Sequence, residues 1–187
     1  MESKNVEKIV TEVGKVFLRY GFRRTTMADL AKAAQMSRPA FYLIFPSKEE
    51  AFLAVVKRFI AENLEEIRRG IPRFKTVEQK LTFAFDVWFV RPFEMIRASP
   101  DASDILESGS EIACKEMAEA KSEFEAMVAD VLKLLVREQS KAKLSARKIA
   151  EILCRAAHGF KGTARDVGEL RQMLHDHLTL VLTGLAG

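Results

Sequence analysis

The chain has few of the residues that stabilise small folds covalently or bind metal ions. It contains two cysteines, Cys114 and Cys154, and three histidines among 187 residues. We expect both cysteines to be buried as small apolar residues in a reducing cytosol, with a redox-sensing pair as the alternative. His158 lies four residues after Cys154 and could form half of a metal site, but no second pair of ligands accompanies it. No metal ion and no cofactor are therefore predicted.

Long apolar runs and short catalytic motifs are also missing. No stretch of about 20 apolar residues is present, so no membrane span is predicted. The N-terminus is polar and amphipathic, without the apolar centre of a signal peptide. The sequence contains no glycine-rich phosphate loop, nucleophile elbow or CxxC pair. These absences predict a cytoplasmic protein that neither crosses a membrane nor catalyses a reaction.

Helical periodicity runs through the whole chain. Apolar residues recur at three- and four-residue spacing, first along a stripe from Val6 to Tyr20 that ends at Gly21. Pro92 falls inside an apolar helix and should kink or divide it. The pattern predicts an all-α fold of about nine helices. Beyond residue 46, the predicted helices are 47–70, 76–97, 110–139, one that begins at Ser145, and about 167–185.

Residues 25–48 predict two short helices joined by a tight turn. Thr26 precedes an apolar run and has Asp29 three residues later, which approximates a capping box. Ser37 is a second helix start, and Pro39 is tolerated in a first helical turn because no N–H is needed there. Two short helices connected in this way describe a helix-turn-helix.

The second of these short helices has a face to bury and a face to expose. Phe41 and Phe45 are four residues apart and can bury together, whereas Arg38, Ala40 and Tyr42 point elsewhere. A helix-turn-helix places the N-terminal part of its second helix in the major groove of DNA. Two packed helices of an ordinary all-α protein would show similar spacing, so spacing alone leaves both interpretations open.

Positive charge is concentrated around this stretch. Residues 1–48 hold nine Lys or Arg and four Asp or Glu, a net charge of +5, whereas the remaining 139 residues hold 21 basic and 22 acidic side chains. Such a concentration favours binding to DNA phosphates, because neutralising them releases counterions. A solvated basic face without a partner is the alternative.

From Gly21 to Lys48 the order and spacing of residues resemble, without a gap, the DNA-binding domain of TetR-family transcriptional regulators. The matching residues are Phe17, Gly21, Phe22, Thr25, Thr26, Asp29, Leu30, Ala31, Ala34, Met36, Ser37, Phe41, Tyr42, Phe45, Ser47 and Lys48. The resemblance covers about a third of the chain. It implies a three-helix DNA-binding domain over residues 1–46 and a helical effector-binding and dimerisation domain over residues 47–187, with helix 47–70 linking the two.

The resemblance also implies a function. A homodimer would bind a palindromic operator in double-stranded DNA and block transcription. The phosphate contacts would come from Thr26, Tyr42 and Lys48. The base contacts would come from Arg38, Pro39 and Ala40. Arg38 is the best candidate for a bidentate contact with guanine.

Three positions depart from the family pattern. Gln35 stands where the turn usually has Gly, and a left-handed Gln costs roughly 1 kcal/mol, so the turn should be strained or rearranged. Ala40 and Ile44 replace the usual Thr and His. Ile44 could touch a thymine methyl group or simply pack. These departures affect the DNA contacts and leave the expected fold unchanged.

A small-molecule site is expected in the C-terminal part, because members of the family bind effectors there. The candidate lining is aromatic and Met-rich, which suits an apolar or aromatic molecule. Its residues are Trp88, Phe89, Phe93, Met95, Met117, Phe124 and Met127. The same residues at helical spacing could instead fill the core, and that alternative stays open.

The last two predicted helices are expected to pair across a two-fold axis. The candidate interface residues are Ile152, Ala156, Gly159, Phe160, Leu174, Leu178 and Val181. A monomer whose last helices complete its own core is the alternative. For the whole chain, the competing function is a helical protein-interaction module without regulated DNA binding.

Overall fold

The computed structural model describes residues 2–99, 104–136 and 144–186, and the regular secondary structure in these ranges is helical. The chain forms two compact units. The first unit comprises Met1–Glu62 and Met95–Ala118, and the second comprises Asn63–Glu94 and Glu119–Gly187. The boundary after residue 46, between the DNA-binding domain and the effector-binding and dimerisation domain, is a functional division and stays a prediction.

Helix α1, Glu2–Arg24, is interrupted where the sequence predicts that it ends. Gly21 adopts φ 76° and ψ 172°, a conformation that is essentially restricted to glycine. The predicted stripe is confirmed in its centre, because Val13 and Phe17 are buried. Val6 and Tyr20, at the two ends of the stripe, are exposed.

Three further helices complete the N-terminal part: α2 (Met27–Ala33), α3 (Arg38–Ile44) and α4 (Lys48–Gly70). Aromatic side chains hold this unit together. Phe17 and Phe52 meet edge to face with ring centroids 5.0 Å apart, and Phe41 is fully buried. Burial of one such side chain contributes roughly 1.5–3 kcal/mol. Helices α2 and α3 therefore pack on a core to which α1 and α4 contribute Phe17 and Phe52.

A π-helical turn, Asp86–Val90, joins α5 (Val77–Phe85) to α6 (Arg91–Arg97). Pro92 does not divide the helix over 76–97, so that alternative of the prediction is wrong, and a π-helical turn precedes the proline instead. Pro92 has no N–H for an ordinary helical bond. The preceding residue, Arg91, donates its N–H to the carbonyl of Asp86, five residues back. This wider turn absorbs the proline without a break in the chain of helical residues.

The predicted long helix over 110–139 is wrong at its start. Helix α7 runs Ile105–Ile112, and Ala113, at φ −111° and ψ 29°, separates it from α8, Cys114–Leu132. Gly109, the residue before the predicted start at 110, lies inside α7. Helix α8 ends at Leu132, so the prediction is also wrong over residues 133–136, which are not helical. Residues 137–139 lie outside the described residues.

The last two helices agree with the sequence prediction. Helix α9 runs Ala146–Thr163 and starts at a capping Ser145, and α10 runs Val167–Ala186. Because α5, the π-helical turn and α6 are continuous and count as one helix, the described ranges contain nine helices, in agreement with the predicted number of about nine. Within those ranges, no helix is both long and apolar enough to cross a membrane.

Candidate nucleic-acid interface

The start of α2 is fixed by a reciprocal capping box. The Thr26 hydroxyl accepts the N–H of Asp29 at 3.3 Å, and the Asp29 carboxylate accepts the N–H and the hydroxyl of Thr26 at 3.0 and 2.6 Å. These hydrogen bonds, that of the hydroxyl foremost, lower the pKa of the Asp29 carboxyl. The predicted capping box is confirmed. It holds Thr26 on the surface at the first turn of the helix.

The turn between α2 and α3 keeps the left-handed conformation despite lacking glycine. Gln35 has φ 56°, the one positive φ outside glycine in the described chain. The N–H of Gln35 donates to the carbonyl of Lys32 at 3.0 Å, and that of Met36 donates to Ala31 at 2.9 Å. This is the Schellman pattern of helix termination. The turn is therefore unrearranged and carries the conformational cost of a left-handed Gln.

Helix α3 separates a buried face from an exposed one. Ser37 caps its first turn, accepting the N–H of Ala40 at 3.3 Å. Phe41 and Phe45 are buried with ring centroids 5.3 Å apart, as predicted. The cap and the aromatic anchor fix the orientation of the opposite face.

The exposed face of α3 brings together most of the predicted DNA-contacting residues. Arg38, Pro39 and Tyr42 are exposed, and Ala40 is half-buried. Sequence reasoning missed Leu43, whose side chain is 88% exposed. The signal was available, because position 43 is two residues from both Phe41 and Phe45 and so points away from the buried face.

Ile44 has the packing role, which was one of the two roles that the sequence left open for it. Its side chain is half-buried and packs against the core of the first unit. Of the two apolar neighbours at the end of α3, Leu43 and not Ile44 faces outward.

Lys48 lies at the start of α4, where its ammonium is held by the turn after α1. It donates to the carbonyl of Phe22 at 2.9 Å and lies 4.3 Å from the centre of the Phe22 ring. The side chain is half-buried. Lys48 thus has a structural partner as well as its predicted role towards phosphate.

A second anchor on the same turn comes from a distant part of the chain. The Asp104 carboxylate accepts the main-chain N–H groups of Phe22 and Arg23 at 2.9 and 2.6 Å. The guanidinium of Arg23 pairs with Glu107 at 2.8 Å. Residues 104 and 107 therefore fix the chain between the break at Gly21 and the start of α2.

A basic groove of about 520 Å³ lies along α1 and α2, and one of its lining residues is Asp29, the capping partner of Thr26. Lys15, Arg19, Arg24 and Lys32 line it together with two acids. One acid, Glu12, pairs with Lys15 at 2.7 Å. Cations outnumber acids on this surface, so it carries positive charge beside α2.

The predicted pocket residues fall into both units. Met95 and Met117 belong to the first, and the other five belong to the second. In the second unit, Trp88 stacks on Phe124 with centroids 5.0 Å apart, and Phe89 meets Phe124 edge to face at 5.8 Å. Phe93 is buried and Met127 is half-buried. These contacts favour the packed-core alternative for this aromatic cluster.

An open groove of about 880 Å³ lies elsewhere in the second unit, along α5 and α10. Phe83, Phe85 and Leu174 contribute apolar surface to it, and Asp86 and Arg171 contribute charge. The guanidinium of Arg171 lies 3.4 Å from the Asp86 carboxylate. The groove therefore combines an apolar lining with an ion pair.

The predicted interface residues divide into exposed and buried sets. Ile152 and Gly159 are exposed, and Ala156, Phe160 and Val181 are half-buried.

Two of the predicted interface residues lie in the core of the single chain. Leu174 and Leu178 are buried within the second unit, so they are not available as an exposed face. Leu180, which the sequence analysis omitted, is 73% exposed on α10. Some apolar residues of α10 are buried in the core and others are exposed at the surface. The helical spacing of these residues does not show which of them are buried.

The cysteines differ from each other, contrary to expectation. Cys154 is buried, and burial raises the pKa of its thiol to about 12. Cys114 is exposed, so its predicted burial is wrong. In the described ranges, no group of three or more His, Cys, Asp or Glu side chains could hold a metal ion.

Comparison with known proteins agrees with this geometry. Residues 14–55 match the family described as bacterial regulatory proteins, tetR family. The HTH-type transcriptional regulator YuxN of Bacillus subtilis, itself uncharacterized, is 32% identical over 65 residues, 34% of this chain and 22% of that protein. The matched segments span 22 to 37% of the length of the curated relatives.

Solved structures extend the similarity in fold to nearly the whole chain. A transcriptional regulator from Cytophaga hutchinsonii superimposes with a TM-score of 0.79 at 18% identity, over 95% of this chain and 96% of that one. Thermus thermophilus FadR, a TetR-family repressor solved with lauroyl-CoA, gives a TM-score of 0.56 at 23% identity, over 95% and 93% of the two chains.

The capped helices α2 and α3, the left-handed turn between them and the anchored start of α4 define a helix-turn-helix module. Residues 14–55 thus match the tetR family of bacterial regulatory proteins in sequence, and the fold of the chain is similar to that of solved transcriptional regulators.

Proposed function

We propose that the chain binds duplex DNA through the exposed face of α3. The observation that carries this proposal is the orientation of α3. The helix buries Phe41 and presents Arg38, Pro39 and Tyr42 to solvent, and the preceding helix α2 lines a positively charged groove together with α1. A seven-residue helix anchored by one aromatic face is suited to entering the major groove, where its outward side chains meet base edges.

The proposed contacts fall into two classes. Arg38 reads a guanine by two hydrogen bonds, and Pro39 and Ala40 pack against base edges. Thr26, Tyr42 and Lys48 bind phosphates and fix the register of the protein on the duplex. The capping box positions the Thr26 hydroxyl, and the hydrogen bond to Phe22 positions the Lys48 ammonium, before DNA is bound.

A homodimer would supply the second reading helix. Specific sites need more contacts than one helix-turn-helix offers, and a two-fold dimer reads palindromic half-sites one helical turn or more apart. Apolar surface is available on the last two helices, where Ile152 is 42% exposed and Leu180 is 73% exposed. We place the dimer contact on this surface of α9 and α10.

Regulation by a small apolar or aromatic molecule completes the proposal. The FadR relative was solved with lauroyl-CoA and is described as a repressor. In the present chain, the groove along α5 and α10 has a volume in the range typical of small-molecule sites. Phe85 lines this groove and contacts Phe89 and Phe124 of the aromatic cluster. Such an effector shifts DNA binding only to the extent that it prefers one conformation of the protein.

Selection of bound duplexes from a random pool tests the DNA-binding proposal. The expected result is a palindromic site bound with steep salt dependence, because several phosphates are neutralised. A titration of the selected duplex at several salt concentrations measures this slope. Recovery of no enriched sequence, together with weak binding to every duplex, would overturn the proposal in favour of a protein-interaction module.

A further inference from the structure

Leu43 is the most exposed of the large apolar side chains in the described chain, at 88%. Its neighbours in the sequence on the buried side, Phe41 and Phe45, are within the core. In the free protein, the exposed Leu43 side chain contributes no burial of apolar surface. In a complex that covers it, its removal from water would stabilise the complex. Single exposed apolar residues are common on protein surfaces, so its position on α3 is what gives the exposure meaning.

Leu43 extends an apolar strip along the outward face of α3. Residues four and three apart are neighbours on a helix surface, so Leu43 lies beside Pro39 and Ala40. Pro39 is exposed and Ala40 is half-buried. Among the outward residues of this helix, only Arg38 and Tyr42 carry polar groups in their side chains. The apolar side chains on this face, those of Pro39, Ala40 and Leu43, cannot form hydrogen bonds with base edges.

The strip also lies in a positively charged setting. Arg38 is on the same helix, and the groove along α1 and α2 adds Arg19, Arg24 and Lys32. A partner rich in phosphate matches this charge better than an apolar protein surface does. In the major groove of such a partner, the one apolar group on a base edge is the C5-methyl group of thymine.

We infer that Leu43, with Pro39 beside it, reads thymine through its C5-methyl group. This inference rests on the proposed DNA binding and deepens it by naming the class of base recognised. The preferred half-site then contains a guanine opposite Arg38 and at least one thymine within reach of Leu43. Specificity at the thymine comes from apolar contact and not from hydrogen bonds.

Replacement of thymine by deoxyuridine tests the inference, because it removes the methyl group and leaves base pairing unchanged. Each thymine of the selected half-site is replaced in turn, and the affinity of the unaltered protein is measured by fluorescence anisotropy. We expect one or two positions to lose about fourfold in affinity, the effect of burying one methyl-sized group. The other thymines serve as internal controls.

The variant Leu43→Ala completes a double-mutant cycle. It should weaken binding to the thymine site several-fold, and deoxyuridine at the sensitive position should then have no further effect. Leu106→Ala is the matched control, because Leu106 is another exposed leucine of the first unit outside α3. The Leu106→Ala variant should bind the selected duplex with the affinity of the unaltered protein, and deoxyuridine should weaken its binding to the same extent.

The outcomes separate this inference from the proposal on which it rests. A selected site that is bound tightly but is insensitive to deoxyuridine at every thymine, or that lacks thymine, overturns the role of Leu43 and leaves DNA binding intact. Equal sensitivity to deoxyuridine in Leu43→Ala and in the unaltered protein overturns it too. Failure to bind any duplex overturns both.

Discussion

The ammonium group of Lys48 donates a hydrogen bond of 2.9 Å to the carbonyl of Phe22 and lies 4.3 Å from the centre of the same residue's ring. Residue 22 follows the break at Gly21, and residue 48 begins α4. The contact therefore ties together the two chain segments that flank α2 and α3. It also holds a cation in place next to the proposed DNA surface, with two N–H donors left over.

Lys48→Ala should reduce both stability and DNA binding. Loss of the charged hydrogen bond should lower the free energy of unfolding by about 1–2 kcal/mol, as measured by chemical denaturation. Loss of a phosphate contact should reduce the slope of log affinity against log salt by about one. Lys75→Ala removes the same charge from an exposed site in the second unit and should change neither quantity. A reduced stability with an unchanged slope would make Lys48 a purely structural residue.

Arg38→Ala should relax the specificity of the protein. We expect a loss of about 1–3 kcal/mol on the selected site, because a bidentate contact with guanine is removed. Competition binding to duplexes with each base at the affected position should show that one position is no longer discriminated. On random duplexes, where the contact is not formed, the loss should be much smaller. An equal loss on both kinds of DNA would assign Arg38 to a phosphate.

Gln35→Gly should stabilise the protein, because glycine adopts the left-handed conformation of this turn without the Cβ penalty. Gln35 has φ 56°, and the expected gain in the free energy of unfolding is about 1 kcal/mol. Gln35→Ala retains the Cβ atom and should bring no such gain. Denaturant unfolding of the three proteins checks the difference. A similar gain from alanine would attribute the effect to the amide side chain instead of the backbone.

Local features of the first four helices could be predicted from the sequence because their causes are local. The Thr26 capping box, the break at Gly21 and the left-handed turn at Gln35 each follow from residues within four positions. The buried pair Phe41 and Phe45 follows from one helical period. These features fix the helix-turn-helix, so its presence and its outward face were accessible without coordinates.

Other features depend on contacts far apart in the sequence or on a choice among equivalent faces. The hydrogen bond from Phe22 to Asp104 joins residues 82 positions apart, and nothing near either residue in the sequence signals it. Leu174 is buried because it lies on the side of α10 that packs against α5. The apolar stripe in the sequence does not show which side of the helix packs there. The π-helical turn before Pro92 shows that a proline can be absorbed by a local change of helical pitch.

The two thiols should differ strongly in reactivity. Burial raises the pKa of Cys154 to about 12, so near pH 8 its reactive thiolate is almost absent, whereas Cys114 is exposed. An aromatic disulfide reagent should modify one thiol per folded chain rapidly, and two after denaturation. The variant Cys114→Ser should react only after denaturation. Rapid modification of folded Cys114→Ser would show that Cys154 is accessible.

Leu180→Glu should convert the proposed dimer to a monomer. Leu180 is 73% exposed on α10, so a glutamate there is solvated in a monomer, whereas in a dimer it would be buried or placed near its own copy across the two-fold axis. Sedimentation velocity should report half the mass, and affinity for a palindromic duplex should fall steeply because one reading helix is lost. Leu43→Glu introduces the same charge at another exposed leucine, on α3. That variant should sediment as the unaltered protein does while losing DNA binding by repulsion from phosphates. If Leu180→Glu keeps the mass of the unaltered protein, or if both variants become monomers, the dimer contact does not lie at Leu180.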